Sequence, residues 1–299
     1  MTELYALVKR NCKLFFKDKG MFFTSLITPV ILLVLYVTFL GRVYRSSFAS
    51  AVPEGFFMDE SVINAAVGGQ LVSSLLAVCC VTVAFCSNLL SVQDKISGAR
   101  LDLAMTPVKR GVLAAGYFIA SALSTLIICS LALVVCLVYL GCTGWYLSVA
   151  DVALLFGDVF LLVLFGTALS SVINYPLSTA GQGSAVGTIV SAGYGFVCGA
   201  YMPISSFGEG LQRVLSFFPG TYGTSLVRNH ALRGVYDEML SLGVPAEGVN
   251  AIKDSLDCNL YFFGHSVPHT VMYLVLGGSV LLLCIIYIAL NSRKKAGLR

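Results

Sequence analysis

The sequence predicts an all-α protein that crosses a membrane six times, and three observations predict it. Of its 299 residues 57% are hydrophobic and only 11% are charged, against about a quarter charged in soluble domains. Six apolar runs occupy 21–41, 62–90, 111–140, 152–173, 185–202 and 267–290. Each approaches or exceeds the roughly 20 residues a helix needs to cross the hydrocarbon core. Thirteen of the 19 Lys and Arg residues fall in three segments that six crossings place on one side, and that side is the cytoplasm by the positive-inside rule. Both termini are therefore expected there, in a single membrane domain over 1–299.

Residues 1–20 precede the first run yet have helical periodicity. Leu4, Leu7, Val8, Leu14 and Phe15 separate from Lys9, Arg10, Lys13 and Lys17, as in a helix lying in the interface with its basic face toward anionic headgroups. Gly20 ends it. The first run is too long for a signal-peptide core and no small-residue cleavage site follows, so it reads as an anchor. Pro29 lies inside it, where neighbouring groups can take up the freed carbonyl. Residues 42–64 read as an outer loop.

Between spans two and three lies a charged island, 91–110, with Lys95, Arg100, Lys109 and Arg110. Connectors 141–150 and 174–184 are short, which makes spans three, four and five antiparallel neighbours. Span five carries Gly183/Gly187 and Gly195/Gly199 at GxxxG spacing, which serves packing within the chain or a contact with a second subunit. The long segment 203–266 is expected outside, as an extracellular or re-entrant segment. It holds a short amphipathic helix through Leu211, Val214, Leu215 and Phe218 that stops at Pro219-Gly220, then a small capping helix over 245–258. The basic tail carries Arg293, Lys294, Lys295 and Arg299.

Seven of the ten cysteines sit inside apolar runs and act as small hydrophobes. Cys142 and Cys258 are expected on the outer side, where a disulfide and two free thiols are both open. There is no GxxxxGK[ST] phosphate cradle and no GxSxG nucleophile elbow. The three histidines, His230, His265 and His269, all fall in or beside the outer segment with no carboxylate ligand near in sequence. No metal site is expected, and the net charge of +4 follows from the topological bias without nucleic acid as a partner.

In 91–110, Gly98 is followed by Leu103 and then by Thr106-Pro107-Val108-Lys109-Arg110. With the preceding basic helix, the six runs and the amphipathic element before the last one, this set resembles the permease subunit of ABC-2 type exporters. The Thr-Leu-Glu that commonly follows the Gly there is replaced by Ala99-Arg100-Leu101-Asp102. The resemblance implies a coupling helix in this connector, docking on a separate nucleotide-binding subunit that holds ATP and Mg2+. Its expected residues are Asp94, Lys95, Gly98, Arg100, Asp102, Leu103, Thr106 and Pro107. It also implies a second permease subunit, surrounding lipid, no cofactor in this chain, and an amphiphilic cargo moved between the halves by spans two and five. Residues expected at the path or its gate are Asn88, Asp158, Leu215, Phe218, Pro219 and Tyr222. Two rivals remain at this point. A membrane-embedded lipid enzyme would need intramembrane acid or base groups, for which only Asp158 stands ready. An ion-coupled transporter would show several such carboxylates or an internal repeat.

Overall fold

A computed structural model describes residues 2–51 and 59–293. Helix α1 (Thr2–Lys17) is followed by α2 (Lys19–Leu35), a π-helical turn (Tyr36–Leu40) and α3 (Gly41–Ala51). Then come α4 (Glu60–Asn88), α5 (Leu90–Ile96), α6 (Ala99–Met105), α7 (Arg110–Thr143), α8 (Val149–Asn174) and α9 (Ala180–Val197). The last part holds α10 (Glu209–Leu215), α11 (Pro219–Ser241), α12 (Ala246–Ser255), a minimal antiparallel pair β1 (Tyr261–Phe262) and β2 (His265–Ser266), and α13 (His269–Arg293). Lys294, Lys295 and Arg299 of the predicted basic tail lie outside the described residues.

Among the described residues five helices are long and apolar enough to cross a membrane: Lys19–Ser46, Glu60–Ile96, Arg110–Thr143, Val149–Asn174 and His269–Ser292. The run expected as span five forms α9, which does not reach that level. Its 18 residues include five glycines, two serines and Gln182, which dilute the apolar content. The predicted outer loop 42–64 is helical over most of its described length, because α2 runs through the π turn into α3 and α4 begins at Glu60.

The fold is organised around α4, in which every residue from Gly68 to Asn88 is buried. A helix apolar on all sides belongs in the centre of a bundle, and α2, α7, α8 and α11 pack round it. Small polar groups join the helices where their backbones are close. Ser87 Oγ lies 2.6 Å from Ser121 Oγ and 3.1 Å from Thr125 Oγ1, tying α4 to α7. The outward faces of α2, α7 and α13 are rich in exposed Ile, Leu, Val and Phe, as a lipid-facing surface requires. Helix α1 lies along α7 with Leu7, Asn11 and Phe15 buried, and Asp18 caps α2 by accepting from the Met21 amide at 3.1 Å.

The largest departure from the sequence reading is α11. The short helix expected through Leu211, Val214 and Leu215 forms as α10 and closes before Pro219, but Pro219-Gly220 then starts a further helix of 23 residues, with Pro in its first turn. This helix is buried along most of its length against α4, α8 and α13. Arg233 lies 3.5 Å from Asp151, His230 2.5 Å from Asp158, and the Phe218 ring 6.3 Å from Phe165. Each step back along α11 thus meets a later residue of α8, so the two run antiparallel. At 1.5 Å per residue, the start of α11 sits about 24 Å along α8 from its first turn. Within the segment 203–266 it is α11 that enters the bundle. Both Cys142 and Cys258 are free; Cys258 is buried, with its sulfur 3.2 Å from the Tyr236 hydroxyl, so it does not reach the outer surface.

Candidate coupling surface and cleft

The connector between α4 and α7 is built of two short rigid pieces. Helix α5 continues the direction of α4 and ends at Ser97. Gly98 then takes a left-handed φ of +82°, which an L side chain would resist, and α6 begins. Thr106 is extended, as the residue before a proline is driven to be, and its hydroxyl donates back to Leu103 O at 2.6 Å. Pro107 follows and α7 starts at Arg110.

Helix α6 has no buried residue. Leu101 and Met105, one turn apart on a single face, are 59% and 82% exposed, and Ile96 is 48% exposed. Leu103 lies on the opposite face and is half-buried against a cluster of Leu7, Leu113 and Tyr117. Arg100 is half-buried; Asp102, Thr106 and Pro107 are exposed.

Asp94 and Lys95 point away from this surface. Asp94 is 5% exposed and receives Arg10 Nη1 at 2.7 Å, Arg10 Nη2 at 3.2 Å and the Tyr117 hydroxyl at 2.6 Å. The hydrogen bond to Asp94 raises the pKa of the Arg10 guanidinium, against the opposing effect of burial. Lys95 Nζ donates to three carbonyls at the end of α8, those of Asn174 (3.1 Å), Tyr175 (2.6 Å) and Leu177 (2.9 Å). A cation there satisfies the orphan acceptors of a helix C-terminus.

The residues expected near a path divide into two groups. Asn88 Nδ2 donates to Ser170 Oγ at 3.0 Å and Ser171 Oγ at 2.7 Å, fastening α4 to α8 inside the bundle. Asp158 is 1% exposed; one oxygen meets His230 Nδ1 at 2.5 Å and the other accepts from the Tyr273 hydroxyl at 2.6 Å, so one carboxylate joins α8, α11 and α13. Leu215, Phe218, Pro219 and Tyr222 come together where α10 meets the buried start of α11. There the Phe218 ring is 6.1 Å from Tyr194 of α9, and the Tyr222 hydroxyl donates to Ser216 O at 2.6 Å.

Sequence reasoning missed a buried charge on α11. Arg228, 1% exposed, donates to Leu256 O and to Gly199 O, the latter at 2.8 Å, and lies 3.7 Å from Asp257. Asp257 in turn accepts from the amides of Ile204 and Ser205. Burial pushes the Asp257 carboxyl above its usual range, opposed by Arg228 and those amides. This pair fixes the turn after α9. It was illegible because its members lie 29 residues apart in a segment read as a loop.

A cleft of about 1440 Å³ opens between α2 and α9. Met21, Thr24, Ile27, Ile31 and Leu35 form one wall, Gly183, Gly187, Thr188, Ser191 and Phe196 the other, and Tyr201, Met202 and Pro203 lie among its further lining. Among the described residues Asp18 is the one charged residue in its lining. Helix α4, expected to share this lining as span two, contributes only Cys86 from its own length, because its other faces are covered.

A polytopic helical bundle with a lateral apolar cleft, an amphipathic first helix and a solvent-facing connector defines a membrane permease. Residues 2–231 match the family model of the ABC-2 type transporter, and the chain belongs to that family. It is accordingly a transport component of an ABC-type system and not an enzyme. No curated protein matches the sequence. Among the described residues no group of three or more His, Cys, Asp or Glu is placed to hold a metal ion.

Proposed function

We propose that this chain is the six-span permease half of an ATP-driven exporter, with both termini in the cytoplasm. Two permease subunits, identical or related, would work with two copies of a separate nucleotide-binding subunit that holds ATP and Mg2+. Helix α9 supplies the sixth crossing, its small residues facing the cleft. The cargo is amphiphilic, a drug, a peptide or a lipid-linked molecule, and enters along the apolar walls of α2 and α9. Leu215, Phe218, Pro219 and Tyr222 at the inward tip of α11 form the gate, and Asn88 and Asp158 hold the helices that frame it.

The observation that carries this reading is the connector 91–110. In a member of this family, α6 leaves Leu101 and Met105 uncovered at the end of the bundle that carries the basic residues. An apolar knob beside Arg100, Asp102, Thr106 and Pro107 suits a groove on a partner, while Asp94, Lys95 and Gly98 anchor and orient it. Burying an unpaired charge in such a groove costs a few kcal/mol. Met105→Asp is therefore expected to abolish co-purification of the nucleotide-binding subunit while leaving membrane insertion and melting temperature unchanged, since Met105 is 82% exposed. Undiminished co-purification and ATP hydrolysis in this variant would remove the docking role.

A further inference from the structure

We infer that Arg10, Asp94 and Tyr117 form the joint through which displacement of α6 reaches the membrane helices, an inference that rests on the exporter reading above. Arg10 and Tyr117 are positioning residues in it, since neither touches the exposed knob. Two contacts converge on the joint from the connector. The apolar one runs from Leu103 of α6 into the cluster of Leu7, Leu113 and Tyr117. The polar one runs from Asp94 of α5, which receives both Arg10 nitrogens and the Tyr117 hydroxyl. The same tyrosine thus serves both, its ring on the apolar side and its hydroxyl on the polar side.

The geometry makes these contacts a linkage. Gly98 is the one residue of the connector with positive φ, so α5 and α6 meet at a single bend. Helix α5 is then held on two faces, by Arg10 of α1 and Tyr117 of α7 on one, and through Lys95 by the end of α8 on the other. Helix α1 passes directly into α2 through Asp18, which caps α2. Helix α2 is one wall of the cleft. Rotation of α5 and α6 is therefore passed through Arg10 to α1 and from α1 to the wall along which cargo would move. A salt bridge suits this role because removing one partner leaves the other charge poorly solvated, so the two helices resist separation.

The test uses the complex with its nucleotide-binding subunit, with native cysteines replaced and spin labels at Ile27→Cys and Thr188→Cys on opposite walls of the cleft. Pulsed electron paramagnetic resonance then reads the distance between walls with and without ATP and vanadate. The wild-type joint is expected to give a nucleotide-dependent shift in that distance. Arg10→Gln and Asp94→Asn are expected to lose the shift while the complex still assembles and hydrolyses ATP, an outcome that loss of stability alone would not produce. Tyr117→Phe, which keeps the ring and removes only the hydroxyl, is expected to reduce it and carries the test if the charge variants fail to assemble. A full shift in these variants overturns the joint and leaves the exporter reading standing. A wild-type complex that assembles but shows no shift likewise overturns the joint alone, whereas a wild-type chain that binds no nucleotide-binding subunit overturns both.

Discussion

Asp158 shows how a single residue changes meaning between sequence and structure. In the sequence it is an isolated carboxylate inside an apolar run, expected at the path or its gate and, for the rival lipid enzyme, as the one acid that stands ready. In the folded chain both its oxygens are taken, by His230 and Tyr273, and it is absent from the cleft lining. Hydrogen bonds to a charged group are worth about 1.5–3 kcal/mol each. Asp158→Asn keeps the shape and removes the charge, so it is expected to lower stability by about 1–3 kcal/mol and the melting temperature with it, while ATPase binding persists. An unchanged melting temperature would show that the three-helix tie contributes nothing to stability. Leu103 teaches a related lesson. The motif picked it out by spacing, but a helix turns by about 100° per residue, which puts Leu101 and Met105 on one face and Leu103 on the other. That register was readable once α6 was recognised as a helix. Which face looks inward was not, because it depends on Leu7 and Tyr117, far away in the chain.

Whole elements differed in legibility for physical reasons. Helix α1 was visible because its apolar and basic faces alternate at helical period, and α4, α7, α8 and α13 because burial in lipid or in the bundle demands long apolar runs. Helix α11 was hidden because it is buried in protein and not in lipid. It carries Thr221, Thr224, Ser225, Arg228, Asn229 and His230 inside the bundle, each with a partner there, so its composition reads as a polar loop. Its insertion depends on close approach at Gly234, where an added Cβ would collide with the carbonyl group of Tyr146. Backbone cannot yield as a side-chain tip can, so Gly234→Ala is expected to cost about 1–3 kcal/mol or more by overpacking. Gly157 of α8 is the control, with nothing within 4 Å of its added Cβ. Gly157→Ala is expected to be neutral or to stabilise by about 0.5–1 kcal/mol through helix propensity. Equal melting temperatures for the two alanine variants would contradict the close docking of α11 against the segment before α8.

At the scale of the whole molecule the charge distribution decides orientation, and the structure sharpens the count taken from sequence. Of the six Lys and Arg residues outside the three basic segments, Arg228 is inside the bundle at 1% exposure and so is not a loop charge at all. Arg45 and Arg233 lie toward the opposite end, beside Glu60 and Asp151 at 3.2 and 3.5 Å, and Arg213 pairs within α10 with Glu209 at 3.4 Å. The end that gathers α1, the connector and the close of α13 is held together by contacts such as Tyr287 to Ala114 O at 3.3 Å and Tyr175 to Leu290 O at 2.7 Å. Basic residues flanking membrane helices stay on the cytoplasmic side because translocating them is unfavourable, so this end is expected to face the cytoplasm and Cys142, at the far end of α7, the exterior. Cys142 is exposed, which makes it a native probe once the other nine cysteines are replaced. An impermeant maleimide is expected to label it in intact cells, whereas Ser97→Cys in a chain lacking all native cysteines should react only after the membrane is opened. Labelling of Ser97→Cys from outside would reverse the orientation, and labelling of both from outside would contradict the single crossing made by α7, which begins and ends between them.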